Sequence, residues 1–142
     1  MLKIKDIMTK NVIYVTKDTP VIEAIRLMTK NDITGVPVVE DDMTPIGILS
    51  EQDVLRLAHT HSAEKDKPVY KFMSQPAIHF DEDAPFLNVC YHLMENPMRR
   101  IPVTSQGKVI GIISRSDILR CILQLCDEDV VLAIGACDNT EQ

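Results

Sequence analysis

The sequence predicts an α/β (α+β) protein built from two tandem β-α-β-β-α repeats, and three observations support this fold class. The chain has 142 residues, of which 45% are apolar and 25% charged, a composition typical of one globular unit rather than of a disordered or fibrous chain. Shifting the chain against itself by about 65 residues aligns two halves, which indicates an internal repeat. Within each half, short apolar runs alternate with segments of helical periodicity.

The two halves agree at their most distinctive positions. Each carries a proline inside an apolar run, at Pro37 and Pro102, and these prolines are 65 residues apart. After a deletion of one residue the separation becomes 64, and each half then carries a glycine followed by a Ser-x-x-Asp segment. The aligned segments are residues 6–9 with 71–74, 35–38 with 100–103, and 46–55 with 110–119. Chance does not readily produce agreement at so many positions.

Three short strands are predicted in each repeat, where β-branched and apolar residues cluster. The second and third strands are separated by polar turn residues, at 40–42 in repeat 1 and 105–107 in repeat 2, which is typical of a hairpin. The predicted strands are residues 12–15, 36–39 and 46–49, and then 77–80, 101–103 and 109–113.

Two helices are predicted in each repeat. Pro20 and Pro85 stand near the first position of the first helix of each repeat, where the fixed φ of proline is favourable. Apolar residues at helical spacing predict one core-facing stripe in each of these helices, and Met28 and Met94 are assigned to the two stripes. The predicted helices are residues 21–31, 51–58, 86–95 and 115–126.

These elements predict the domain boundaries. Repeat 1 is expected over residues 1–58, a linker of low apolar content over 59–68, repeat 2 over 69–126 and an acidic tail over 127–142. The tail contains the apolar residues 130–134 between acidic flanks, so it would dock either on the module or across a dimer. A stretch of five residues has too little periodicity to decide between these alternatives.

Composition and charge exclude several classes of protein. No run approaches the roughly 18 apolar residues of a membrane span, and the start lacks the apolar core of a signal peptide, so we expect a cytoplasmic location. A net charge of −6 disfavours broad binding to nucleic acid or anionic lipid. The cysteines lack metal-ligand spacing and are expected to be reduced thiols, several of them buried. They are Cys90, Cys121, Cys126 and Cys137.

A unit of about 60 residues with this order of elements, an apolar-Pro-Val strand and a Gly-x-x-Ser-x-x-Asp segment resembles the CBS domain, and two in tandem resemble a CBS pair, or Bateman module. The resemblance covers roughly residues 3–123. It implies a pseudo-twofold pair of repeats with two clefts that bind AMP, ADP, ATP or S-adenosylmethionine. It also implies a regulatory role, in which ligand or energy state is signalled to a partner protein, and a homodimer.

The two Ser-x-x-Asp segments have two interpretations. As capping boxes, Ser50 with Asp53 and Ser114 with Asp117 would begin the last helix of each repeat. As the resemblance implies, each carboxylate would instead accept hydrogen bonds from the ribose hydroxyls while the serine and nearby amides bind phosphate. Capping and binding are compatible. We expect the stronger ligand interaction at Asp117.

Basic residues distinguish repeat 2 from repeat 1. Arg99 and Arg100 directly precede the second strand of repeat 2, where Thr34 and Gly35 stand in repeat 1. The resemblance implies that these arginines contact phosphate, and the alternative is a solvated surface pair. Arg115 is a weaker phosphate candidate, since a cation at a helix start is unfavourable unless an anion lies nearby.

The resemblance implies that each cleft is composite, with the base held by one repeat and the ribose by the other. The Asp117 cleft, with Ser114, Arg99, Arg100 and Arg115, would use Met8, Ile13, Ile33 and Thr34. The Asp53 cleft, with Ser50, would use Met73, Ile78 and Met98, and Arg99 is an alternative member of this cleft. Each apolar member is equally compatible with the core. Gly47 and Gly111 indicate a close approach to a strand, by a nucleotide or by a helix.

No arrangement of nucleophile and base, metal ligands or phosphate loop suggests catalysis, so we expect no enzyme, no catalytic cofactor and no metal. The principal interpretation is a regulatory module for an adenosine-containing ligand. The alternative is a constitutive dimerisation or interaction scaffold with vestigial clefts. The apolar residues of the last helix would either form part of a dimer surface or close the core. They are Ile118, Leu119, Cys121, Ile122 and Leu125.

Overall fold

The computed structural model describes residues 2–60 and 63–127, which form two three-stranded sheets with two helices in each repeat. This arrangement confirms the predicted fold class and element order. Repeat 1 contains β1 (Val15–Thr16), α1 (Val21–Lys30), β2 (Gly35–Val39), β3 (Pro45–Ser50) and α2 (Glu51–Val54). Repeat 2 contains β4 (Phe80–Asp81), α3 (Phe86–Glu95), β5 (Arg100–Ser105), β6 (Lys108–Ser114) and α4 (Arg115–Asp127).

The first strand of each repeat is shorter than predicted and lies later in the chain. Ile48, opposite Pro37, exchanges its backbone hydrogen bonds with Ser74, so the Pro37 nitrogen faces the edge where β1 pairs. Proline has no N–H, and the parallel ladder therefore cannot extend back from Val15. The same geometry at Pro102 limits β4, so the predictions of strands at 12–15 and 77–80 were wrong except at Val15 and Phe80.

The two hairpins follow the prediction. β2 pairs with β3 and β5 with β6, both antiparallel. The second hairpin has a two-residue turn in which Gln106 and Gly107 both have positive φ, the conformation that matches the twist of the flanking strands. The first hairpin has a longer turn, in which Met43 has a φ of 73°.

A leading segment from each repeat packs against the other repeat. We define the leading segments as residues 2–9 and 69–74. Thr9 exchanges backbone hydrogen bonds with Ile112 at 2.8 and 2.9 Å, and Ser74 does the same with Ile48 at 2.9 and 3.0 Å. Ile4, fully buried, belongs to the core of repeat 2, while Phe72 belongs to the core of repeat 1. Each repeat therefore completes both its sheet and its core with residues from the other.

The helices of repeat 2 leave apolar side chains in solvent. On α4, Ile118, Cys121 and Leu125 are buried, whereas Leu119 and Leu123 are 63% and 65% exposed. One face of this helix therefore closes the core, as one of the two alternatives predicted, and the dimer surface stays a prediction for its exposed face. On α3, Met94 is 78% exposed, so its assignment to the core was wrong. Ile122 and Tyr91 are also exposed, at 44% and 58%.

An ion pair joins the two hairpins at one end of the molecule. Lys108 Nζ contacts the Asp42 carboxylate and donates to Thr44 Oγ1 at 3.0 Å, and the Val109 amide donates to the Met43 carbonyl at 2.9 Å. The ion pair with Lys108 holds the pKa of Asp42 well below its usual range. These contacts link the repeats at a second place, besides the leading segments.

The cysteines of the described residues are all free thiols. Cys121 is buried, Cys90 is half-buried, and burial raises the pKa of both thiols. Cys126 is exposed. Cys137 and the tail over residues 128–142 lie outside the described residues, as does the apolar stretch 130–134. Among the helices of the described residues, none has the length and apolar character to cross a membrane.

Candidate nucleotide cleft

A cavity of about 340 Å³ lies between the two sheets. Pro37 and Ile48 line it from the sheet of repeat 1, and Pro102 and Ile112 line it from the sheet of repeat 2. Its volume is in the range of small-molecule binding sites. The polar and apolar residues that line its mouth are Thr34, Ser50, Glu51, Gln52, Ser74, Ile78, Met98, Arg99 and Arg100.

The Asp53 carboxylate lies behind two hydroxyls that line this cavity. Its Oδ2 accepts hydrogen bonds from the Ser50 amide at 2.8 Å and from Ser50 Oγ at 3.0 Å, which is the capping-box arrangement. Its Oδ1 accepts from Ser74 Oγ at 3.1 Å. Asp53 is half-buried. Ser50 and Ser74 therefore connect the carboxylate directly to the cavity wall.

The Asp117 carboxylate has the same inner partners and one more outer partner. Its Oδ2 accepts from the Ser114 amide at 2.8 Å and from Ser114 Oγ at 3.0 Å. Its Oδ1 accepts from Thr9 Oγ1 at 3.1 Å and also from the Arg120 guanidinium. Asp117 is 4% exposed. The capping interpretation is thus correct for both aspartates. Capping occupies Oδ2 in each case, so a ligand would bind at Oδ1.

The two carboxylates differ in the acceptor capacity that remains. A carboxylate offers about four lone-pair sites. Among the described residues, four donors reach Asp117 and three reach Asp53. A ribose hydroxyl can therefore bind Asp53 without displacing a protein donor, whereas at Asp117 it must displace Thr9 or Arg120.

The two predicted phosphate-binding arginines line the cavity on the Asp53 side. Arg99 is exposed and Arg100 half-buried, and both line it together with Ser50 and Ser74. Asp117 and Ser114, the residues with which these arginines were grouped, do not line this cavity, whereas Arg99 was also predicted for the Asp53 cleft. Residues 97–100 line the cavity together with Glu51 and Gln52 at the start of α2. Glu51 is the only acidic residue that lines this cavity within the described part of the chain.

Arg115 is engaged with the backbone. Its guanidinium donates to the carbonyls of Leu93 at 2.8 Å, Asn96 at 3.0 Å and Met98 at 3.0 Å. These are carbonyls at and just beyond the end of α3, which attract a cation. Its role is to fix the segment that carries Arg99 and Arg100, and this accounts for a cation at the first position of α4.

Methionines occupy the space beside the two strand glycines. A Cβ on Gly47 would lie 2.6 Å from Met73 Sδ and 2.8 Å from the Ser74 carbonyl oxygen, and one on Gly111 would lie 2.5 Å from Met8 Sδ. The close approach that the glycines indicate is therefore made by the leading segments, neither by a nucleotide nor by a helix. Met8 packs against the core of repeat 2 and Met73 against that of repeat 1.

The other predicted apolar contacts divide into two groups. Ile78, which is 42% exposed, and Met98 line the cavity, as does Thr34. Ile13 and Ile33 are half-buried and pack against the core of repeat 1. The cavity thus brings together residues predicted for both clefts, because Thr34 was assigned to the Asp117 cleft and Ile78 and Met98 to the Asp53 cleft.

Three functional candidates were missed from sequence. Thr9 and Ser74 hold the outer oxygens of the two carboxylates, and they are aligned residues of the two repeats, so the repeat itself carried the signal. Arg120 stands three residues after Asp117, a spacing at which helical side chains meet. Within the described residues there is no group of three His, Cys, Asp or Glu side chains that could hold a metal ion.

A second hollow, of about 530 Å³, shares no lining residue with this cavity and is open to solvent. Two of the three cations that line it, Arg56 and Lys67, already have partners. Arg56 donates to the Lys71 carbonyl at 2.6 Å and stacks on the Phe72 ring, while Lys67 pairs with Glu64 at 2.8 Å. The cavity between the sheets adjoins a carboxylate, that of Asp53, which can accept one more hydrogen bond. This cavity is therefore the better candidate for a ligand site.

Comparison with known proteins identifies the family. The CBS domain model matches residues 4–60 and 69–124. The uncharacterized protein MJ1426 of Methanocaldococcus jannaschii is 41% identical over an alignment 156 positions long, which covers 87% of this chain and 92% of that protein. The chain spans only 42% and 32% of the length of two other relatives from the same organism.

Solved structures give the same result. The CBS-pair protein CBSX2 of Arabidopsis thaliana has a TM-score of 0.82 and 28% identity, with 89% of this chain and 97% of that chain covered. A structure of CBSX2 in complex with AMP has a TM-score of 0.78 and 29% identity, covering 88% of this chain and 98% of that one.

Proposed function

This chain belongs to the CBS domain family, and we propose that it is a non-catalytic regulatory module that binds an adenosine-containing nucleotide between its two repeats and signals ligand or energy state to a partner protein. The proposed site is the cavity lined by Ser50, Ser74, Arg99 and Arg100. The related CBS-pair protein CBSX2 binds AMP, which supports an adenine nucleotide as the ligand here.

The observation that carries this proposal is the remaining acceptor site on Asp53, which lies behind the hydroxyls of the cavity wall. In the proposed pose, one hydroxyl of the ribose diol donates to the remaining acceptor site of Asp53 Oδ1. The base lies between the apolar walls formed by Ile78 and Met98. The phosphate lies toward Arg99 and Arg100, where a guanidinium can form paired hydrogen bonds with phosphate oxygens. All three parts of a nucleotide thus find a complementary surface.

The charge of the cavity favours AMP, ADP or ATP over S-adenosylmethionine. Two arginines and one glutamate line it, so its formal balance is positive. A phosphate is attracted to Arg99 and Arg100, whereas the positively charged sulfonium group of S-adenosylmethionine is repelled by them. We expect affinity for the nucleotides to fall with added salt and affinity for adenosine to change little.

The test is calorimetric titration of the purified protein with AMP, ADP, ATP and S-adenosylmethionine, after mass spectrometry shows that no ligand has co-purified. Saturable binding of a nucleotide, accompanied by a higher melting temperature, is the expected result, because a ligand that binds only the folded state stabilises it. No binding by ligand-free protein would overturn the proposal. It would favour the alternative of a constitutive interaction scaffold with vestigial clefts.

We further propose that the module forms a homodimer through α3 and α4. Exposed Tyr91, Met94, Leu119, Ile122 and Leu123 lie on these two helices. The positions in repeat 1 that align with the two α3 residues are Arg26 and Thr29. Among the described residues, exposed large apolar side chains on the helices α1 to α4 therefore occur in repeat 2 alone, and such surfaces are typical of association sites.

Sedimentation velocity tests the dimer. Leu123→Glu should shift the protein to monomer, since it puts a charge on the proposed interface. Leu55→Glu is the matched control, because Leu55 is equally exposed at 65% but lies on repeat 1. A wild-type protein that sediments as a monomer at high concentration, or equal effects of the two variants, would contradict this interface.

A further inference from the structure

Corresponding arginines of the two repeats have different partners. Arg56 and Arg120 are 64 residues apart and align, and each stands three residues after its aspartate. Arg120 donates to Asp117, whereas Arg56 donates to the Lys71 carbonyl at 2.6 Å and does not contact Asp53. Of two arginines at corresponding positions, Arg120 thus occupies an acceptor site of its aspartate, and Arg56 does not.

Reach does not explain the difference. Arg56 lies on the 3-10 turn Leu55–Ala58, which directly follows the helix α2 that carries Asp53, and residues three apart are neighbours in both kinds of helix. Arg120 lies in the continuous helix α4, where residues three apart are also neighbours. Both arginines can therefore approach their aspartates.

An aromatic ring explains the difference. The Arg56 guanidinium carbon lies 4.1 Å from the centroid of the Phe72 ring, a distance at which a guanidinium is attracted to the ring face. The residue aligned with Phe72 in repeat 1 is Ile7, which offers no such face. Phe72 is buried within the core of repeat 1 and holds a fixed position there.

We infer that Phe72 is a positioning residue that keeps Arg56 off the Asp53 carboxylate, and that Arg120, lacking a ring to stack on, blocks the Asp117 cleft. This inference rests on the proposed nucleotide site and specifies which of the two pseudo-equivalent clefts is filled. It predicts one nucleotide per chain, bound at Asp53. The difference between Phe72 and Ile7 determines that choice.

The experiment compares AMP binding by wild type, Phe72→Leu, Arg56→Met and the double variant. Removing the ring releases Arg56 to pair with Asp53, so Phe72→Leu should weaken AMP binding about tenfold, of the order expected for a lost charge-assisted hydrogen bond. Arg56→Met should bind AMP as the wild type does. The double variant should recover wild-type affinity, because the competing cation is gone.

A purely structural role of Phe72 gives a different result. In that case the double variant stays as weak as Phe72→Leu, and the inference is overturned. It is equally overturned if Phe72→Leu binds AMP normally, or if the wild type binds two nucleotides with similar affinity. Arg120→Met provides a second test that leaves Phe72 in place, and a second, weaker binding event is expected there.

A measurement without ligand separates this inference from the proposed function. Double-mutant cycles in urea should give non-additive midpoint shifts for Arg120→Met with Asp117→Asn, and additive shifts for Arg56→Met with Asp53→Asn. In the Phe72→Leu background, the second pair should become non-additive. Coupling between Arg56 and Asp53 in the wild type would overturn the arginine assignment. Absence of AMP binding with these couplings intact would overturn the proposed function alone.

Discussion

The sites at Asp53 and Asp117 are built alike: each aspartate accepts from a capping serine at a helix start and from a hydroxyl of a leading segment. They differ in burial and in the cations that lie near the carboxylate. Asp53 is half-buried and adjoins a cavity of about 340 Å³ that Arg99 and Arg100 also line. Asp117 is 4% exposed and paired with Arg120. The two repeats therefore share the hydrogen bonds that hold the aspartate, but the aspartate is accessible to different extents.

The difference also shows why cations near a motif in sequence need not serve that motif. Arg99 and Arg100 belong to the repeat of Asp117 but line the cavity beside Ser50 of the other repeat. The cation that does reach Asp117 is Arg120, from its own helix. The following variants test this contrast, beginning with the largest expected effect.

Removing each carboxylate separates the two clefts most strongly. Asp53→Ala should weaken AMP binding by about 1.5 to 3 kcal/mol, since it removes the charge-assisted hydrogen bond to the ribose. Asp117→Ala should change AMP affinity little but lower the free energy of unfolding, because it leaves Thr9 and Ser114 without their acceptor. Titration calorimetry and urea denaturation measure the two quantities. Equal losses of affinity in both variants would contradict the contrast.

Alanine at the two strand glycines should have unequal effects on stability. At Gly47 the new Cβ would lie 2.8 Å from the Ser74 carbonyl oxygen, so backbone must move, and we expect a loss of about 1–3 kcal/mol. At Gly111 the corresponding distance to the Thr9 carbonyl oxygen is 3.1 Å, and the closer contact is with the flexible side chain of Met8. Gly111→Ala should therefore be less destabilising in urea unfolding. The opposite order would contradict this account.

The two arginines should contribute to phosphate binding alone. Arg99→Gln and Arg100→Gln should each weaken ATP binding by about 1 kcal/mol while leaving adenosine binding unchanged, since adenosine carries no phosphate. Lys10→Gln, at an exposed position outside the cavity lining, is the matched control for loss of one positive charge. Calorimetry at two salt concentrations measures the effect. If adenosine and ATP lost the same affinity, the arginines would not be phosphate ligands.

The smallest effect is expected where the two hairpins are joined. The pKa of Asp42 is lowered by Lys108, so this ion pair stabilises the fold above the unfolded-state pKa of about 4 and is lost as pH falls below it. Asp42→Asn should slightly lower the melting temperature at pH 7. Its difference from wild type should vanish in strongly acidic solution, as thermal unfolding at several pH values would show. A difference that does not depend on pH would exclude the ion pair as its cause.

Much of the fold was predictable, because strand and helix periodicity recurred twice in register. The lengths of the first strands were not predictable. Pro37 and Pro102 shorten these strands only because their nitrogens face the edge where the first strands pair. That direction follows from the pairing of Ile48 with Ser74 and of Ile112 with Thr9, which are contacts between repeats. Met94 was misassigned because helical spacing alone does not tell a core-facing stripe from an exposed one.

Of the site, the two aspartates and their serines were identifiable from the repeated motif, and capping geometry follows from local sequence. The sequence did not show which cleft Arg99 and Arg100 line, since this depends on how the repeats face each other. Nor does sequence spacing reveal that Arg120 contacts its aspartate while Arg56 does not. That contrast depends on Phe72, which reaches Arg56 from a leading segment.

The exchanged leading segments also determine how the chain must fold. Residues 2–9 are made first but finish their packing only against residues about 75 to 110 positions later, such as Ala84 and Ile112. Contacts of such long sequence separation slow folding, because a large loop must close before they form. Because each repeat completes its core with residues of the other, we expect the two repeats to unfold in one cooperative transition. A gene fragment encoding either repeat alone would produce a chain with an incomplete core and an unpaired sheet edge.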